Sequence, residues 1–161
     1  MNLTNLFELQ KKLDDHILKK HCLNGKSLLS EKILALQVEL GELANETRCF
    51  KYWSTKPPSN KSRILEEYVD CLHFILTLGL EQNFKDLTIN PKNPDYNITE
   101  QFLSLYIDIN DFMICSSRDN YITLFEDFLS LGVELGFTKS NIEDAYFKKN
   151  SINHRRQDEG Y

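Results

Sequence analysis

Leu6, Leu9, Leu13 and Ile17 recur every three or four residues, the spacing that lines apolar side chains along one stripe of an α-helix. The stripe predicts a first helix over residues 3–21, broken by Asn24-Gly25. The same periodicity predicts a second helix over 28–50, closed by a polar stretch with Pro57-Pro58, and a third over 61–84. Residues 86–97, with Pro91, Pro94 and several asparagines, read as a loop. Two further helices follow over 99–115 and 118–135. Ser140-x-x-Glu143 is a capping-box pattern that opens a last helix toward Ser151, followed by a polar tail. No alternating strand of useful length interrupts the series. The expectation is an all-α bundle of five to six helices in a single domain, residues 1–161.

Composition narrows the class. At 161 residues with 41% hydrophobic and 27% charged positions, the chain suits one soluble domain with its own core. A net charge of -5 argues against a protein that coats nucleic acid or an anionic membrane, because both need a positive footprint. No apolar run reaches the ~18 residues of a membrane span. The start, Met1-Asn2-Leu3-Thr4, has no secretory pattern. Cys22, Cys49, Cys71 and Cys115 are scattered, with neither redox nor zinc spacing, so reduced thiols and a cytoplasmic location are expected.

The chemistry is concentrated in helices two and three. Glu39, Glu42 and Glu46 fall in a narrow sector of helix two. Leu36, Leu40 and Leu43 flank that sector on one side, Leu34 and Val38 on the other, a setting that predicts burial of the acids. Helix three places Glu67 and Asp70 on one face, with His73 and Phe74 a turn further on. Consecutive helices joined by a short linker are usually antiparallel neighbours, so four carboxylates can converge between them. No lysine or arginine lies within either pair. Buried acids need protons, cations or metal, and a hard divalent ion with oxygen ligands, Mg²⁺ above all, fits this donor set. A di-iron centre wants Glu-x-x-His on two helices, and Asp70-x-x-His73 is the only sequence of that kind here.

Lys148, Lys149, His154, Arg155 and Arg156 crowd the end of this acidic chain. Beside a metal they read as a cationic lid over residues 152–161 that meets phosphates. Trp53, the one tryptophan, follows helix two.

Glu39-x-x-Glu42, 24 intervening residues and Glu67-x-x-Asp70 resemble the metal motif of the all-α nucleoside triphosphate pyrophosphatases. Phe50-Lys51-Tyr52-Trp53, the run from Glu67 to Phe74 and the tail from Lys149 to Tyr161 resemble the dimeric dUTPase family. The resemblance implies Mg²⁺-dependent hydrolysis of dUTP and dUDP to dUMP by a homodimer, with water attacking a metal-bound phosphate between helices two and three. It implies that Glu39, Glu42, Glu67 and Asp70 hold Mg²⁺, with Glu42, or else Glu39, activating the water. Trp53 would wall the uracil pocket, and Gln10 and Asp14 would lie near the base. His73 and Phe74 would border the deoxyribose. Lys149, Asn153 and Arg156 would contact phosphates, and Tyr161 would close the lid. The family often carries asparagine where this chain has Asp14, which leaves open a pyrophosphohydrolase for another deoxynucleotide such as dCTP. A non-catalytic helical interaction protein is the reading from a different class.

Overall fold

The computed structural model describes residues 3–84, 87–91 and 96–160. Within them the chain forms six helices and no strand: α1 Leu3–Lys20, α2 Leu29–Thr47, α3 Lys61–Glu81, α4 Ile98–Ile114, α5 Arg118–Glu134 and α6 Lys139–Glu159. Each predicted helix is present, and four of them, α3 to α6, open on a side-chain cap. The Asn60 side chain accepts the Arg63 backbone N–H at the start of α3. Asn97 and Glu100 form a reciprocal capping box at α4, and Ser117 caps α5.

Two expectations for α6 change. Its capping box is formed by Thr138 and Asn141, not by Ser140 and Glu143. Thr138 accepts the Asn141 N–H at 3.1 Å while the Asn141 side chain accepts the Thr138 N–H at 3.2 Å, so Ser140 falls inside the first turn. The helix also does not stop near Ser151. It runs on to Glu159, and its last two turns lie against α1 through His16–His154 and His21–Gln157 contacts. Of the predicted loop, Asp86 and residues 92–95 lie outside the described residues; Leu87 and Ile89 rest on the core.

Glu39 of α2 meets α3 near Asp70, Lys32 pairs with Glu81 at one end and Glu46 with Arg63 at the other, so α2 and α3 run antiparallel. Contacts of α1 with α6 climb both helices together, from Gln10–Tyr146 to His16–His154 and His21–Gln157, so these two run parallel. α3 is the central element and contacts α1, α2, α5 and α6. Its apolar side, Tyr68, Leu72, Ile75 and Leu76, is fully buried. Tyr68 stacks on Phe128 with ring centroids 4.3 Å apart. Its hydroxyl lies over Gly132, where a Cβ would come within 2.4 Å of it, so only glycine admits this crossing of α3 and α5.

The flanks of the α2 acids are unequal. Leu36, Leu40 and Leu43 are buried as expected, but Leu34 is 61% and Val38 51% exposed. On α4, Leu103 and Ile107 are likewise exposed, at 60% each.

Candidate metal centre and nucleotide cleft

The α2–α3 antiparallel pairing brings acids from both helices to one point. Glu39, Glu67 and Asp70 each offer a carboxylate oxygen, and these three lie within 4.8 Å of one another. Glu67 is 2% exposed. Three negative charges this close raise each other's proton affinity, and burial adds to the effect. The Glu39 carboxyl is pushed up to about 7 by burial first and then by the charges of Asp70, Glu42 and Glu67. Burial also raises Glu67 and Asp70. Glu42 stands outside this group of three and is exposed, close enough for its charge to act on Glu39 and Glu67.

Cations do reach these acids, although none lies within either sequence pair. Arg63, one turn before Glu67 on α3, pairs with Glu67 and lies 3.0 Å from Glu66. Lys149 of α6 donates to Asp70 Oδ2 at 2.6 Å and to Glu66 at 3.3 Å. Arg63 was legible from its i, i+4 spacing to Glu67; Lys149 required knowing that α6 packs on α3. Glu46, the third acid of the α2 sector, is used differently: Ser59 donates to its carboxylate and tethers the segment that leads into α3.

Beside the acids opens a cavity of about 580 Å³, lined among others by Asp14, Glu39, Asp70, Phe74, Asn153 and Arg156. Its far end is a hydrogen-bonded network. Gln10 is 3% exposed, and its amide nitrogen donates to Asp14 at 2.8 Å and to Thr77 at 2.9 Å. Its amide oxygen accepts the Tyr146 hydroxyl at 2.8 Å and meets His73 Nδ1 at 2.7 Å. Because the nitrogen is committed to Asp14, that oxygen faces two donors, so His73 carries its proton on Nδ1. Burial holds the His73 imidazole neutral, with its pKa lowered to about 3. Thr77 donates to Asp14 at 3.0 Å. Burial raises Asp14 to about 6, partly offset by the Gln10 and Thr77 bonds. Gln10 therefore acts inside the protein as the clamp that orients Asp14 and His73, leaving Asp14 as the polar group at this end of the cavity. Thr77 and Tyr146, absent from the sequence-based set, complete the network. Thr77 stands one turn beyond His73 on α3, a spacing that could have indicated it.

A cluster of buried and half-buried acids from two antiparallel helices, cations from the last helix and a cavity ending in a small polar network form a nucleotide-sized site. A family model described as dUTPase matches residues 2–161, nearly the whole chain. The chain belongs to the dUTPase family. Membership makes it a dUTP diphosphatase of all-α fold, and it sets aside the reading as a non-catalytic interaction protein. No curated protein matches the chain.

The remaining expected residues of this dUTPase divide by position. His73, Phe74, Lys149, Asn153 and Arg156 line the cavity together with Gln10, Asp14, Glu39 and Asp70. Trp53 does not line it. It is 65% exposed on the segment after α2, edge-on to Tyr52 at 5.1 Å between ring centroids. Lys148 borders a different cavity, and exposed Arg155 lies 3.9 Å from Glu159. Tyr161 lies outside the described residues. Among the described residues, no helix is long and apolar enough to cross a membrane.

Proposed function

We propose that the protein hydrolyses dUTP, and dUDP, to dUMP with Mg²⁺ held by Glu39, Glu67 and Asp70, and with Glu42 completing the ligand set or activating the water. The observation that carries this reading is the convergence of Glu39, Glu67 and Asp70, two of which, Glu39 and Asp70, line a cavity that also takes in Asp14 and Thr77. Asp70, His73 and Thr77 lie along one side of α3. At 1.5 Å rise per residue, Asp70 and Thr77 are about 10 Å apart along the axis, roughly the length of a nucleotide from its phosphates to the far edge of its base.

The donor set suits the ion. Three carboxylates within 4.8 Å match a hard cation that keeps several waters and takes phosphate oxygens for its other positions. When bound, it supplies charge neutralisation on the phosphate chain. The protein supplies the rest. Lys149 is held by Asp70 and Glu66, and with Asp70 engaged in holding the ion it would be free to donate to phosphate. Asn153 and Arg156 approach the same phosphates from the next turns of α6. Glu42 is exposed on the solvent side of the acids, where a water can be oriented and its proton accepted. Phe74 walls the sugar position, leaving no polar partner for a 2′-hydroxyl. Asp14, ionised above about 6, offers acceptors to the uracil N3–H. The same acceptors suit the exocyclic amine of cytosine, which supports dCTP as the second substrate to test. Release of pyrophosphate from dUTP that requires Mg²⁺ and disappears in Glu67→Gln tests the assignment.

The protein is proposed to work as a homodimer. Leu34 and Val38 on α2 and Leu103, Ile107 and Ile114 on α4 are all at least half exposed and recur at helical spacing on neighbouring helices. α2 and α4 are antiparallel, joined by the Tyr106 hydroxyl donating to the Gln37 carbonyl. An apolar face of this kind is expected to be covered in solution, and a second copy of the chain offers a matching face.

A further inference from the structure

Outside the cleft lining, α1 and the end of α6 bring a second group of ligand-type side chains together. Nδ1 of His16 lies 3.2 Å from Nδ1 of His154, with ring centroids 5.4 Å apart. Nε2 of His16 lies 3.3 Å from a carboxylate oxygen of Asp158, one turn after His154 on α6. The carboxylate accepts but does not donate, so it favours the His16 tautomer with its proton on Nε2. The lone pair of Nδ1 is then free and turned toward the second imidazole.

Two imidazole nitrogens at this separation are spaced as neighbouring ligands of one ion. With metal–nitrogen bonds of about 2.0–2.1 Å, a 3.2 Å gap corresponds to an angle of roughly 100° at the metal, near tetrahedral. We propose that His16 and His154 form a binding site for a borderline transition-metal ion of the Zn²⁺ class, with Asp158 the carboxylate that orients His16 from behind. A carboxylate–histidine–metal arrangement of this kind raises ligand basicity and fixes the ring. Both histidines are partly exposed, so water fills the remaining positions. The donor set is imidazole nitrogen, which suits Zn²⁺ and not Mg²⁺, so the site is chemically separate from the carboxylate cluster.

The ion would join α1 to the segment of α6 that carries Asn153 and Arg156, both on the cavity lining. Occupancy therefore clamps the cationic rim of the cleft. The site itself does not rest on the reaction proposed above; only this consequence does.

The test is calorimetric titration of Zn²⁺ into the full chain in millimolar Mg²⁺, repeated on Glu67→Gln so that Zn²⁺ entering the carboxylate cluster is told apart from Zn²⁺ at the histidines. The expected result is one Zn²⁺ per chain. His16→Ala and His154→Ala should weaken it more than about tenfold, and Asp158→Asn by roughly tenfold. Hydrogen exchange over residues 152–159 should slow when Zn²⁺ is added to the wild type and not to His154→Ala. Circular dichroism checks folding, with His16→Gln and His154→Gln as replacements if either alanine variant unfolds. Equal Zn²⁺ affinity in wild type and variants, or no binding by wild type below millimolar, overturns the proposal. Neither result bears on dUTP hydrolysis, which is read separately.

Discussion

Lys149 Nζ lies 2.6 Å from Asp70 Oδ2, joining the middle of α6 to the acids between α2 and α3. Both side chains are largely buried, at 11% and 16% exposure, so this is not a screened surface pair. The lysine supplies the counter-charge to Asp70; with a divalent ion held there as proposed, it would be free to meet phosphate.

Lys149→Met should therefore separate two effects. Without metal, the variant should lose about 1–3 kcal/mol of stability, because Asp70 is left without its charged partner. Mg²⁺ should recover most of that loss in a thermal melt while turnover stays low. A melting-temperature deficit of the same size with and without Mg²⁺ would make the pair a purely structural contact.

Glu67→Gln should lower turnover by at least ~100-fold, since a buried carboxylate ligand becomes a neutral amide. The metal-free melting temperature should hold or rise, because one of three mutually repelling charges is gone. Near-wild-type activity would remove Glu67 from the metal site.

The pH dependence follows from Glu39, pushed up from 4.5 to about 7 in the folded chain. Between those values the folded state holds a proton that the unfolded state has released. Protonation thus favours the metal-free fold, and that contribution is lost as pH rises through about 7. A metal must displace the same proton, so its affinity moves the other way. The thermal shift produced by Mg²⁺ should be small at pH 6 and large at pH 8. A shift of equal size at both would place the ion away from Glu39.

Much of this was legible in the sequence because helices announce themselves by period and the candidate acids lie at i, i+3 spacing on consecutive helices. Glu39, Glu67 and Asp70 meet because antiparallel α2–α3 packing is the simplest outcome of a short linker. What pattern could not give was anything set by a third helix. Lys149 reaches Asp70, and Tyr146 orders Gln10 and His73, only because α6 lies over both α1 and α3. The continuation of α6 past Ser151 was hidden for a related reason: its last turns are polar, and side-chain contacts with His16 and His21 hold them in place of an apolar stripe. The exposed Leu34 and Val38 show the reverse case, an apolar flank that a monomer leaves uncovered.

That flank gives a further expectation. Sedimentation or light scattering should find two chains per particle for the wild type and one for Ile107→Glu, which puts a charge in the centre of the apolar face. A wild-type monomer at micromolar concentration would leave the α2–α4 face without its proposed partner.

Truncation after Ser151 removes the last two turns of α6, with Asn153 and Arg156. Turnover should collapse and the substrate KM should rise, while the melting temperature falls by only a few degrees, since Ile142 and Tyr146, which anchor α6, remain buried in the core. Unchanged turnover would make the end of α6 a bystander to phosphate binding.

The most direct test is product release with Mg²⁺ from dUTP, dCTP, dTTP and UTP, together with phosphate release from dUDP. dUTP and dUDP should turn over, and UTP should be refused at the Phe74 wall. Turnover of UTP at the rate of dUTP, or no Mg²⁺-dependent turnover of dUTP at all, would contradict the proposed function.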